Sequence, residues 1–280
     1  MRDKKQEMHS GDSSHNYQAK GDINVNGLTF DQAERLFMSM FKANFFDLQE
    51  EAMEIAERRA EEITNKYIEA IIKENTDLIE KTKSPDIRYD IYEAQKSYAR
   101  SGDTNLRNLL VDLLLERTKK DDNTIVSIVL NEAISVAPKL TPNQIEILVI
   151  IFVIKHINFN SPAIDIDSYY YMFIEPYNFC LDNFRKRIDF SHLEYTSCIS
   201  ISMGEFSFEN ILKAKILKGI NTVNEISPEA GIYEPIINIK NAWENTQLKH
   251  SSLSTVGLAI AITYYNIKTG KNLPYETWIN

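Results

Sequence analysis

The sequence predicts a mainly α-helical protein, a multi-helix bundle with one long N-terminal helix that follows a short polar arm of β type. Residues 28–84 contain neither glycine nor proline, and apolar residues further along the chain recur at helical spacing. Hydrophobic residues make up 43% of the 280 residues, which is enough for a substantial core. We predict three parts: an arm at 1–27, a helical domain with the long helix at 28–160, and a mainly helical C-terminal domain at 161–280.

The arm is rich in Asn, Ser, Gly and Asp, and a Gly-Asp pair recurs at positions 11 and 21. Directly after the second pair, Ile23 and Val25 alternate with asparagines, which is typical of a short strand. A lone strand has no partner, whereas the same amide-rich strand on neighbouring copies can form hydrogen-bonded ladders. The arm is therefore either a disordered leader or part of an intermolecular β-layer.

The long helix begins with Thr29 and Gln32, an arrangement that caps helix N-termini. Apolar residues seven positions apart form a stripe along it. A continuous helix over this segment is longer than a compact domain needs, so it either bends back near Asn75 or reaches another subunit. The residues that we expect to join subunits are Asn16, Tyr17, Gln18, Asp22, Ile23, Asn24 and Val25 in the arm, and Phe41, Leu48 and Ile55 in the long helix.

Turn and capping residues divide the rest of the chain into shorter elements. Gly102 ends the first of these helices, Pro138 ends the third, and Thr141 caps the fourth. Further on, Ser207 is a helix cap and Gly270 ends an apolar helix. The predicted elements are helices at 86–100, 106–114, 125–137, 143–157, 176–188, 208–217 and 253–267, with a short strand within 196–202.

Composition and motifs argue against several functions. The chain has 40 acidic and 31 basic side chains, a net charge of -9, so we expect no nucleic-acid partner. Phosphate-binding glycine motifs are missing from the sequence, and we predict no cofactor. Cys180 and Cys198 are too few for a disulfide framework or a four-ligand zinc site, and no metal site is predicted. Catalytic residues remain unknown.

Two alternatives stay open. Asp165 and Asp167 place two carboxylates on one side of an extended segment, as a metal-dependent nuclease could use them. The apolar residues Val256–Ile262 could act on a membrane surface, although a buried helix is the better interpretation because no basic face flanks them. Since Met1–Ser10 is polar and Ile145–Ile157 is too short to span a bilayer, we expect a cytoplasmic protein without a membrane partner.

Three segments carry specific sequence signatures: GDSSHNYQAKGDI at 11–23, NEAISVAPKLT at 131–141, and LSTVGLAIA at 253–261. Through these segments the chain resembles an uncharacterised family of bacterial proteins. The resemblance transfers no catalytic residue, because that family has no assigned activity. Similar Gly-Asp leaders precede bacterial proteins that look like phage-defence components, so the resemblance implies a defence role by analogy.

These observations predict a self-associating bacterial binding protein, a sensor or scaffold component of anti-phage defence. We favour binding over catalysis. The expected partners are further copies of the chain and a phage or host protein. The alternative functions are a metal-dependent nuclease or other effector enzyme, and a membrane-acting effector.

Overall fold

The computed structural model describes residues 29–43, 50–157, 189–215 and 234–279. Helices dominate these residues, which confirms the predicted multi-helix bundle. The first seven helices are α1 (Phe30–Ala43), α2 (Glu50–Glu74), α3 (Leu78–Lys81), α4 (Pro85–Ser101), α5 (Thr104–Lys119), α6 (Ile125–Val136) and α7 (Pro142–His156). The later elements are α8 (Phe190–Tyr195), β1 (Ile199–Ile201), α9 (Phe208–Lys215), α10 (Glu234–Asn245), β2 (Ser251–Leu253) and α11 (Thr255–Thr269). A 3₁₀ turn at Tyr275–Thr277 follows α11.

Local sequence signals set the helix ends. The Thr29 amide donates to Gln32 Oε1 at 3.0 Å, and the Gln32 amide donates to Thr29 Oγ1 at 3.3 Å, which completes the predicted cap of α1. Thr141 and Gln144 form the same reciprocal pair at the start of α7. Helices α4 and α11 both end at glycines in the left-handed region, with φ of 65° at Gly102 and 66° at Gly270.

The N-terminal helices pack against each other. α1 lies against α2, so these two helices do not form one straight rod. Phe41 of α1 is fully buried and clusters with Ala56, Ala60 and Ala99 of its own chain. This burial accounts for its apolar character without a second subunit, whereas Ile55 keeps 37% of its surface exposed. The prediction of one long N-terminal helix is therefore wrong, because this segment contains two helices that pack on each other; α2 does end at Glu74, next to the break expected near Asn75.

Helices α7 and α11 form the centre of the bundle. Both are apolar around nearly their whole circumference, and they pack on each other. Gly257–Tyr265 of α11 are all buried, so the apolar residues at Val256–Ile262 belong to the core and the membrane-surface interpretation has no support there. Within the described residues, no helix combines the length and the apolarity that a membrane crossing needs.

One hydrophobic core extends through both predicted domains. α11 packs on α5, α6 and α7, which come from the other side of the predicted boundary near residue 160. The segment around that boundary, 158–188, lies outside the described residues. The division into domains therefore stays a prediction, and the described helices on its two sides share a core.

A two-stranded antiparallel sheet stands at the start of α11. β1, within the strand predicted from its β-branched residues, pairs with β2 so that Ile199 faces Leu253. The Ser254 amide then donates to the Cys198 carbonyl at 3.0 Å, which joins the end of β2 to the chain before β1. Gly257 lies against that same carbonyl. A Cβ atom at position 257 would lie 2.0 Å from the Cys198 oxygen, so only glycine fits.

We predict that Gly257→Ala lowers the free energy of unfolding by roughly 2–3 kcal/mol, because the new methyl group forces α11 away from the strand. Chemical denaturation of the full chain measures the effect. Gly204→Ala is the matched control, since a Cβ at that position meets only Ser202 Oγ, at 3.9 Å. Equal stability of the two variants would contradict the close approach at Gly257.

A buried arginine joins three consecutive helices. Arg117 of α5 has no exposed surface, and its Nη2 atom donates to Asp122 Oδ1 at 2.7 Å and to Asp86 of α4. Its Nε atom donates to Asn131 of α6 and lies 3.8 Å from Asp90 Oδ2. Three carboxylates thus surround one guanidinium group. Burial, together with the nearby charge of Asp86, raises the pKa of Asp90 to about 7 even though Arg117 opposes this change.

We predict that Asp90→Asn removes a pH dependence of stability. The pKa of Asp90 rises from 3.8 to about 7 on folding, so the folded chain binds the proton more tightly and loses stability as pH increases between these values. Asp90→Asn does not lose stability in this way. The free energy of unfolding of the variant minus that of the native chain therefore increases by roughly 2–4 kcal/mol from pH about 4 to about 7.5. Denaturant titrations across pH measure it. Glu132→Gln, at an exposed position of α6, is the control, and parallel curves for both variants would refute the assignment.

Candidate functional site

A polar cleft of about 360 Å³ lies beside α5, between the last turn of α2 and the last turns of α11. We call it the α5 cleft. The residues that line it are Lys73, Glu74, Asp112, Leu115, Glu116, Lys119, Thr263, Asn266, Ile267, Lys271, Asn272 and Tyr275. It is the candidate site because it brings charged side chains from several elements around a space of ligand size.

Helix periodicity directs the polar face of α5 into the cleft. Asp112, Glu116 and Lys119 are separated by four and three residues, so they lie on one side of the helix. Leu110 and Leu113 lie on another side and are fully buried in the core. Burial of the leucine side therefore fixes the rotation of α5 and turns its carboxylates toward α2 and α11.

The lysine of this face is held by two carboxylates. Lys119 Nζ lies 2.7 Å from Glu116 Oε1 and 2.9 Å from Glu74 Oε1. Burial works against its charge, but the hydrogen bonds to Glu116 and Glu74 outweigh burial and raise the pKa of Lys119. Lys119 therefore stays charged and ties the end of α2 to α5.

Asp112 has a different environment. Burial and the charge of Glu116 raise the pKa of Asp112 to about 6, while Lys119 lowers it. Across the described ranges, the Asp112 carboxylate forms no hydrogen bond within the protein. A half-buried carboxylate that lines a cleft and receives no hydrogen bond from the described residues is a candidate binding group.

The opposite wall is held by hydrogen bonds. The Tyr275 hydroxyl lies 2.8 Å from Thr263 Oγ1, which itself donates to the Ala259 carbonyl at 2.7 Å. The Asn266 amide group bonds both backbone groups of Leu273, at 3.0 Å and 3.2 Å. Burial raises the pKa of Tyr275 far above its usual value, so its hydroxyl stays neutral. This wall presents fixed dipoles to the cleft.

A second, smaller cavity of about 210 Å³ lies near the Arg117 cluster and is lined by Lys81, Lys120, Asp121 and Asp122, among others. Its charges are already paired: Lys81 Nζ lies 3.2 Å from Asp121, Lys120 pairs with Glu276, and Asp122 binds Arg117. Because of these ion pairs, the second cavity offers a ligand fewer charged groups without a partner. The α5 cleft is therefore the stronger candidate.

Most of the residues predicted from the sequence lie outside the described part of the chain. These are Asn16, Tyr17, Gln18, Asp22, Ile23, Asn24, Val25 and Leu48 for self-association, and Asp165 and Asp167 for the nuclease alternative. Of the two cysteines, Cys180 is also outside, and Cys198 is a buried free thiol. In the described ranges, no group of three or more His, Cys, Asp or Glu side chains could hold a metal ion.

Sequence reasoning did not identify the cleft. Asp112 and Glu116 are four residues apart in a leucine-rich segment, and this spacing is common on solvated helix faces. Asp112 and Glu116 are unusual because they line a cleft together with Thr263 and Tyr275, which lie far away in the sequence. Charge on α5 gives no local signal, because this helix carries two acidic and three basic side chains.

The comparisons with known proteins give a family and no function. No curated protein and no solved structure gives a significant match. A protein-family model matches residues 27–238 and 221–279, which together cover most of the chain. The chain therefore belongs to that protein family, an uncharacterised one.

Proposed function

We propose that this protein is a binding protein, a sensor whose α5 cleft holds a small polar ligand. One observation carries the proposal: the half-buried Asp112 carboxylate lines the cleft and has no hydrogen-bond donor in the described part of the protein. A ligand that supplies a donor to this carboxylate gains a charge-assisted hydrogen bond, which is stronger than one between neutral groups.

The size and lining of the cleft support a small, polar ligand. Its volume of about 360 Å³ is near the lower end of the range of known ligand sites, which is about 300–1,000 Å³. Carboxylate, ammonium, amide and hydroxyl groups line it, and only Leu115 and Ile267 are apolar. A hydrophobic ligand would leave these polar groups unsatisfied.

The proposal includes self-association through the N-terminal arm. The alternation of Ile23 and Val25 with asparagines supports an extended arm that pairs with the same arm of other subunits. Ligand binding in the cleft and assembly through the arm together constitute a sensor. A place in anti-phage defence rests on the analogy of the Gly-Asp leader alone.

We predict that polar metabolites stabilise the full chain against heat. Pools of small cations, neutral polar compounds and anions are screened by thermal shift, and at least one pool raises Tm by a few degrees because binding favours the folded state. Asn272→Trp, which places a bulky ring at an exposed position of the cleft lining, abolishes that shift.

Asn241→Trp, at an exposed position of α10, is the matched control and keeps the shift. A ligand that stabilises the native chain and both tryptophan variants equally binds elsewhere. No stabilisation by any pool would count against ligand binding in the cleft.

We predict that the full chain is an oligomer and that a chain beginning at Gly27 has a lower solution mass, because truncation removes the pairing arm. Light scattering of both chains measures the masses. Equal subunit numbers would show that the arm does not assemble the protein, and any oligomer would then depend on the helices.

A further inference from the structure

Three helices direct the same end toward the α5 cleft. Lys73 and Glu74 belong to the last turn of α2, Glu116 and Lys119 lie near the end of α5, and Ile267 lies in the last turn of α11. Backbone dipoles give each helix C-terminus a partial negative charge, which falls off within about one turn. The three helix ends therefore place partial negative charge beside the parts of the cleft that these last turns line.

The lysines that line the cleft are largely engaged. Lys119 is shared by Glu116 and Glu74, as described above. Lys271 Nζ bonds the Tyr265 hydroxyl at 3.2 Å and lies 5.8 Å from the centre of its ring. Lys73 is exposed at the rim. Asp112 is thus the carboxylate of the cleft without a cation bonded to it in the described structure.

We propose that the α5 cleft binds an organic cation, with an ammonium or guanidinium group of the ligand donating hydrogen bonds to Asp112. This inference rests on the proposed ligand-binding function and names the class of its ligand. Such a cation forms a charge-assisted hydrogen bond with the Asp112 carboxylate and meets the neutral hydroxyl of Tyr275 on the opposite wall.

The same geometry makes binding sensitive to pH. A proton and the ligand compete for Asp112, whose pKa of about 6 lies within reach of mild acid. The other charged or titratable groups that line the cleft are Glu116 and Lys119 on α5, Lys73 and Glu74 on α2, and Lys271 and Tyr275 after α11. Glu74 and Glu116 share Lys119, which leaves Asp112 as the group that responds.

Isothermal titration calorimetry on the full chain tests the inference with three probes of equal carbon length: the diamine putrescine, the corresponding uncharged diol, and the dicarboxylate succinate. We expect putrescine to bind at pH about 7.5 and the other two not to bind. At pH about 5 we expect binding to be about tenfold weaker, because Asp112 is then mostly protonated. Asp112→Asn weakens putrescine binding at least about tenfold, and Glu132→Gln leaves it unchanged.

Three results would overturn the inference: unchanged putrescine affinity in Asp112→Asn, equal binding of the diol, or no binding of putrescine. If the diol or succinate binds and putrescine does not, the ligand is not a cation, but the proposal that the cleft is a small-ligand site still holds. If no metabolite pool stabilises the chain in the thermal screen, in contrast, that result contradicts ligand binding in the cleft. Melting of Asp112→Asn checks that the isosteric variant is folded.

Discussion

The buried guanidinium of Arg117 constrains the rest of the bundle. A charge without any exposed surface must be neutralised and hydrogen-bonded, and its partners come from α4, α6 and the segment after α5. Because these contacts come from three different elements, the cluster links the rotation of α5 to the positions of its neighbours. Removing one partner from such a cluster leaves an uncompensated buried charge, which is strongly destabilising.

The rotation of α5 determines both polar sites of the molecule. With Arg117 and the leucines directed inward, the side that carries Asp112, Glu116 and Lys119 is directed toward α2 and α11. In the Arg117 cluster the protein itself supplies the acids around the single cation, while Arg117 Nη1 and Asp90 Oδ2 have no hydrogen-bond partner in the described structure. In the α5 cleft, Lys119 forms ion pairs with Glu116 and Glu74, whereas Asp112 receives no hydrogen bond in the described structure.

Much of the helical architecture could be predicted because its signals are local. The cap at Thr141, the left-handed glycines at 102 and 270, and the apolar runs of α7 and α11 each act within a few residues. The packing of α1 on α2 was not predicted, since the same apolar stripe suits one continuous helix that contacts another subunit and two helices that contact each other. Burial of Phe41 against Ala56 and Ala99 decides this for α1.

The cleft could not be predicted, because its properties depend on contacts between distant parts of the chain. Burial by surrounding helices is the largest cause of the raised pKa of Asp112, and no sequence pattern near position 112 encodes it. The same dependence supports the proposed role of the site in sensing. α2 and α11 come from opposite parts of the chain, both pack on α5, and both line the cleft. A ligand bound there adds its binding free energy to the state in which these helices are assembled, so occupancy of the cleft is linked to the packing of the whole bundle.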